Sequence, residues 1–205
     1  MKAMKRASIG IVLLVALAVV IPLSTHQTIA AHADSTNIQK QSAASHRSSV
    51  ANTSNIIPNN MPAGIQIPQG NVFLFSLFGS GVLTYACPIT AASVEEPMII
   101  LSNQTGGRSA GTHYANNDGL YWENLTGNAV LATPLVKVPS PINPQMNAPW
   151  VLLKAQAHIG IGQFNRVTFI QRVLTNGGLP NAANCLPGQT EQSSPFSLLY
   201  LFYGA

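Results

Sequence analysis

Residues 150 to 157 read Trp-Val-Leu-Leu-Lys-Ala-Gln-Ala, and residues 196 to 203 read Phe-Ser-Leu-Leu-Tyr-Leu-Phe-Tyr. In the first stretch Val151, Leu153, Ala155 and Ala157 fall on one side, with Lys154 and Gln156 on the other. That period of two marks a half-buried strand. The second stretch is so apolar that both of its faces are expected to be covered. Between them, in Arg166 to Thr175, Val167, Phe169 and Val173 share a face and Arg172 takes the opposite one. β-Branched and aromatic residues dominate all three segments, as they do on pleated surfaces. Nowhere beyond the N-terminal leader does an i, i+3, i+4 apolar spacing last for three turns.

Toward the N-terminus the same texture continues in shorter pieces. Val72 to Phe78 is almost unbroken in its apolarity, Gly79-Ser80-Gly81 interrupts it, and Val82 to Cys87 resumes. This reads as two strands joined by a glycine turn. Pro97 to Leu101 is a further strand. Leu120 to Glu123 and Ala129 to Val138 flank Thr126-Gly127-Asn128, a second hairpin signal. Pro139, Pro141, Pro144 and Pro149 make the next segment a connection, because proline cannot sit in a central strand. About eight mostly antiparallel strands in residues 65–205 predict a single all-β domain, either a β-sandwich or a β-barrel.

Two segments precede that domain. Lys2, Lys5 and Arg6 lead into the apolar run Ile9 to Ile21, which Pro22 ends, and Ala31-His32-Ala33 offers a cleavage site. Residues 1–33 therefore read as a signal peptide, with an uncleaved N-terminal anchor as the rival. Residues 34–64 are rich in Ser, Asn, Ala and Gln and hold no aromatic residue, which predicts a disordered polar linker. No other apolar run is long enough to span a membrane, so a secreted or cell-envelope protein is expected. Cys87 and Cys185 are the only cysteines. In an oxidising compartment they are expected to form one disulfide, the alternative being two buried thiols.

The sequence has 205 residues, of which 46% are hydrophobic and 8% charged. Its pI near 9.3 does not signal nucleic-acid binding, because half of the basic residues lie ahead of the domain. From Ile65 onward Arg108, Lys137, Lys154, Arg166 and Arg172 balance Glu95, Glu96, Asp118, Glu123 and Glu191. A near-neutral domain lacks the cationic density that phosphate backbones require. No motif calls for a cofactor. Gly160-Ile161-Gly162-Gln163-Phe164-Asn165 lacks the third glycine and the following helix of a dinucleotide loop. There is no G-x-S-x-G nucleophile elbow and no tight metal motif.

Five short motifs, in order, resemble a secreted bacterial and fungal family of unknown function, domain of unknown function 3455. They are Gly81-Val82-Leu83-Thr84-Tyr85-Ala86-Cys87; Gly111-Thr112-His113-Tyr114 followed by Trp122; Ala148-Pro149-Trp150-Val151-Leu152-Leu153; Phe164 through Gly178; and Tyr200-Leu201-Phe202-Tyr203. The resemblance implies an all-β extracellular domain with no established activity. A dehydrogenase label carried by some members finds no support in these residues.

The densest polar cluster is His113, Asp118, Trp122 and Glu123, read as a loop between glycine-rich turns. Such a set can stack a sugar, hold a small ligand, bind a metal or move a proton. The plainer reading packs His113 and Trp122 against the sheet and leaves the carboxylates solvated. Arg172, alone in an apolar strand, either grips a ligand carboxylate or pairs with Glu95, Glu96 or Glu123. His113, Trp122, Glu123 and Arg172 are accordingly the candidate ligand contacts, for an unknown small molecule or a surface glycan. The first reading is a non-enzymatic binding domain. The alternative is a secreted hydrolase or metal-dependent enzyme using His113 and Glu123, and a third is a purely structural envelope protein. An enzyme needs His113 within hydrogen-bond reach of a carboxylate in a concave site. A sugar platform needs Trp122 on an open face, and a structural protein buries both.

Overall fold

The computed structural model describes residues 56–90, 93 and 95–205. The expected signal peptide and most of the expected linker lie outside them. Eight strands follow in chain order: β1 (Val72–Ala86), β2 (Glu96–Ser102), β3 (Ser109–Asn116), β4 (Gly119–Asn124), β5 (Ala129–Val138), β6 (Trp150–Ile159), β7 (Phe169–Gly177) and β8 (Glu191–Gly204). Each pairs antiparallel with the next, and β8 returns to β1, so the all-β domain is a closed up-and-down barrel. Closure runs from Val72 opposite Gly204 to Ala86 opposite Glu191, with one register shift between Phe73 and Phe75. A closed barrel leaves no sheet edge bare.

Two sequence expectations are corrected, and they cancel in the strand count. The first 15-residue strand is continuous and not a hairpin. Neither Gly79 nor Gly81 adopts the positive φ that a tight glycine turn uses. Their role is close approach: a Cβ on Gly81 would lie 2.0 Å from the Met98 carbonyl oxygen, and one on Gly79 would lie 2.8 Å from the Ile99 side chain. In the other direction, the Gly111-Thr112-His113-Tyr114 segment, read as loop, is strand β3. Its small and polar residues hide the alternation, yet Gly111 and His113 face inward and are buried.

The barrel interior holds Leu77, Leu83, Ile99, Leu101, Trp122, Val130, Val151, Leu153, Ile170, Tyr200 and Phe202. A second apolar layer lies outside the wall, where Trp150, Leu152, Val173, Leu199, Leu201 and Tyr203 pack with Ile65. This is why β8 is apolar on both faces. The described part of the segment read as linker supplies the cover: Ile56, Ile57 and Met61 pack on this layer, and Gln171 Nε2 donates to the Ile65 carbonyl at 2.6 Å. Val167 precedes β7 and joins the interior, while Phe169 and Val173 take the outer layer as a strand alternation requires. Arg172, between them in phase, therefore points into the barrel.

One end is plugged. The Gly160–Asn165 stretch forms a loop whose short 3-10 turn (Gln163–Arg166) drops Phe164 into the barrel, fully buried. Its ring packs against Phe75 and Phe202, at 5.7 and 5.4 Å between centroids. Buried Asn128 ties the loop down, donating to the Ile159 carbonyl and accepting from the Phe164 N–H at 2.9 Å each. The opposite end carries the Cys87–Cys185 disulfide, which closes a loop of 98 residues. Cross-links of that span contribute about 2–4 kcal/mol in practice.

Candidate functional site

At the disulfide end, beside the β3–β4 turn, a cavity of ≈ 230 Å³ enters the barrel. Pro97, Leu120, Val151 and Leu153 line it together with Glu95, His113, Trp122, Lys137, Arg172 and Tyr200. A second hollow of ≈ 270 Å³, around Gly79, Thr105 and Leu174, holds no titratable side chain.

His113 on β3 and Trp122 on β4 are directly opposite residues. Their rings stack at 4.0 Å between centroids with 14° between planes. Tyr200, arriving from β8 across the barrel, meets both edge-on at 5.3 Å. The Tyr121 carbonyl lies 2.8 Å from His113 Nδ1. A carbonyl only accepts, so Nδ1 carries the proton and Nε2 presents a lone pair. Burial pulls the imidazole pKa down to about 3, against the opposing pull of the Tyr121 carbonyl. His113 is therefore neutral, and Nε2 makes no hydrogen bond among the described residues.

Arg172 and Glu95 form the charged side of the site. Arg172 donates from Nη1 to Glu95 Oε2 at 2.6 Å and from Nη2 to Oε1 at 3.2 Å. Its Nε and Nη2 also reach the Pro149 carbonyl, at 3.2 and 3.1 Å. The guanidinium stands 5.5 Å from the Phe196 ring centroid, a cation–π contact. Lys137, half exposed at the rim, holds Glu95 Oε1 at 2.9 Å. Burial alone would raise the Glu95 pKa, but Arg172, with Lys137 behind it, holds it at about 2. Glu95 in turn raises the Arg172 pKa against the effect of burial.

Behind the cavity wall, Trp122 Nε1 and Tyr200 Oη are buried and unbonded. The indole N–H lies near enough to the Tyr200 hydroxyl to ease its ionisation, although the pair falls short of hydrogen-bond geometry. Burial drives the phenol pKa far above its ordinary value, so Tyr200 keeps its proton. Two further orphans, Trp150 Nε1 and Gln171 Oε1, belong to the outer layer.

Three of the four candidate residues thus converge: His113, Trp122 and Arg172 share one cavity. Glu123 does not join them. It follows Trp122 on β4 and so faces outward, where Tyr114 Oη donates to its Oε2 at 2.8 Å. The His113–Glu123 pair is split across the barrel wall. Asp118 sits in the exposed β3–β4 turn, its N–H donating to Asn116 Oδ1. Trp122, 1% exposed, is no platform on an open face. Of the three possible acidic partners of Arg172, Glu95 is the one it meets. Tyr200 stood out in the sequence only as part of the apolar C-terminal motif, and Lys137 only in the charge balance. Among the described residues, no group of three or more His, Cys, Asp or Glu is placed to hold a metal ion.

Fold and cavity together define an eight-stranded up-and-down barrel that opens at one end into its own core. A family model described as "Protein of unknown function (DUF3455)" matches residues 94–204, more than half of the chain, and the chain belongs to that family. The match begins behind β1, so it takes in His113, Trp122, Arg172 and Tyr200 but not the Gly81–Cys87 motif. No curated protein and no solved structure shows significant similarity to the chain.

Proposed function

We propose that this protein is an exported, non-enzymatic β-barrel that binds a small molecule in the cavity beside His113, Trp122, Arg172 and Tyr200. One observation carries the reading: a ≈ 230 Å³ hollow with apolar walls runs up to the buried Arg172–Glu95 ion pair and the stacked rings of His113 and Trp122. Eight-stranded barrels are just wide enough to hold one small ligand. The leader-like N-terminus and the disulfide support an extracytoplasmic location. Among the described residues no helix is long and apolar enough to cross a membrane.

The two tryptophans make the test internally controlled, since Trp122 lines the cavity and Trp150 lies under the outer layer. The ¹⁵N-labelled protein is mixed with a fragment collection spanning rings, sugars, acids and amines, and the two indole N–H signals are followed. Binding moves the Trp122 signal and spares that of Trp150. If no fragment moves Trp122, or if both signals always move together, the binding reading falls.

A further inference from the structure

We propose that the cavity takes a small monocarboxylate with an apolar body, its carboxylate held at the mouth by Lys137. The inference rests on the binding reading above and narrows it by size and by charge. The ≈ 230 Å³ hollow exceeds the roughly 150 Å³ cavity that accepts benzene and falls short of the ~300–1,000 Å³ of drug-sized pockets. One ring or a short chain fits, and Pro97, Leu120, Pro134, Val151 and Leu153 give it apolar walls.

Charge fixes the sign of the head group. Three charged side chains line the hollow: Arg172, Lys137 and Glu95. Arg172 and Glu95 cancel through two hydrogen bonds. Lys137 is a second cation on the same carboxylate, so one positive charge is left without a counterpart. His113 adds none, because its buried imidazole is neutral. Neither Glu96 nor Asp118 lines the hollow. A cation would enter a lining that is already positive, and a doubly charged phosphate would bring one charge too many. A single carboxylate balances it.

Geometry places that carboxylate at Lys137. An ammonium has three N–H donors, and Lys137 uses one, on Glu95 Oε1 at 2.9 Å. Among the described residues the other two have no partner. Arg172, by contrast, is buried and held through four hydrogen bonds to Glu95 and the Pro149 carbonyl. Lys137 is half exposed, so the ligand's head stays at the rim, partly hydrated, while its body enters. Water screens the lysine in part, so it selects by a modest factor.

The full-length protein is titrated at pH 7 with benzoate, benzamide and benzamidinium, which share one shape and differ in charge, and with acetate, which lacks the body. The Trp122 and Trp150 indole signals are read. Benzoate is expected to move Trp122 alone and to bind about fivefold tighter than benzamide, as one partly exposed ion pair allows. Benzamidinium and acetate should both bind more weakly than benzoate. Raising the salt should weaken benzoate and spare benzamide. Lys137→Met, which keeps the apolar stem, should bring benzoate down to the level of benzamide, and Lys137→Arg should restore the difference. If benzamide equals benzoate, or benzamidinium binds tightest, the proposed class is wrong, although a ligand site exists. If Lys137→Met keeps the preference for benzoate, Lys137 is not the anchor and the proposal falls. If acetate matches benzoate, the apolar body plays no part and the class is again wrong. If none of the four moves Trp122, the class is overturned, and the wider fragment collection decides separately whether the cavity binds anything.

Discussion

At the plugged end of the barrel Phe75, Phe164 and Phe202 fill the interior, with Phe75 and Phe202 stacked at 4.5 Å. At the other end His113, Trp122 and Tyr200 bring rings of similar bulk and leave ≈ 230 Å³ empty. Both trios arise from inward positions of the same eight strands and a neighbouring loop. The difference lies in chemistry. Phenylalanine closes a barrel without any polar atom to satisfy, whereas an indole N–H and a phenol, left unbonded, weaken the fold they occupy. An interior that needed only stability would repeat the first solution at both ends.

Substitutions separate the two ends, and the largest effect belongs to the plug. Phe164→Ala should cost about 3–5 kcal/mol of unfolding free energy, the usual range for a buried phenylalanine, measured by urea denaturation. The Trp122 indole signal should stay in place. A loss well under this range would mean that the plugged end collapses to fill the hole and is not the rigid half of the molecule.

The cavity end should respond next through its ion pair. Arg172→Met strands the mostly buried Glu95 with only Lys137, at a cost of about 3 kcal/mol. Glu95→Gln should be comparable, and the double variant should cost clearly less than the two singles together. Strict additivity in the same denaturation experiment would show that the two residues act independently.

Acid should then act on the cavity end more than on the plug. The His113 pKa falls from 6.5 in the unfolded chain to about 3 in the fold, so the unfolded state binds more protons between these values. Stability is fully present above pH 6.5 and is lost below it, by up to about 1.4 kcal/mol per pH unit. Glu95, lowered from 4.5 to about 2, adds a second loss as pH falls below 4.5. His113→Asn should flatten the profile between pH 6.5 and 4.5 and leave the steeper acid limb. An unchanged profile would remove His113 as its cause.

The smallest effect is also the most discriminating. Tyr200→Phe removes a hydroxyl that has no partner, so stability should change by less than about 1 kcal/mol and in the favourable direction. A marked destabilisation would show that the hydroxyl is satisfied in solution by ordered water.

Much of this architecture was legible in the chain, for physical reasons that differ by region. Strands β6 and β8 announced themselves because one alternates against solvent and the other lies between two apolar layers. The Gly79–Gly81 interruption misled because glycine serves both a turn and a close strand crossing, and only the neighbouring strand at Met98 separates the two. Strand β3 went unread because its inward residues include Gly111 and His113, and its partners provide the burial. For the site, the lone Arg172 in an apolar strand correctly demanded a carboxylate, but sequence spacing could not choose among three. Glu123 lies outside the cavity for a simpler reason: neighbours on a strand face opposite ways, so the Leu120–Glu123 strand, already legible as a hairpin arm, could not turn both Trp122 and Glu123 inward.

The pairing of β1 with β8 has a consequence in time. Residue 72 meets residue 204, so the longest ladder of the barrel joins its own first strand to its own eighth. A barrel delivered from its N-terminal side cannot close until β8 is free. Until then seven strands wait as an open sheet, with β1 and β7 as bare edges able to pair with other chains. Contacts this distant in sequence also make closure slow. Stopping synthesis before Glu191 would not yield a smaller barrel; it would yield an unclosed sheet ready to aggregate.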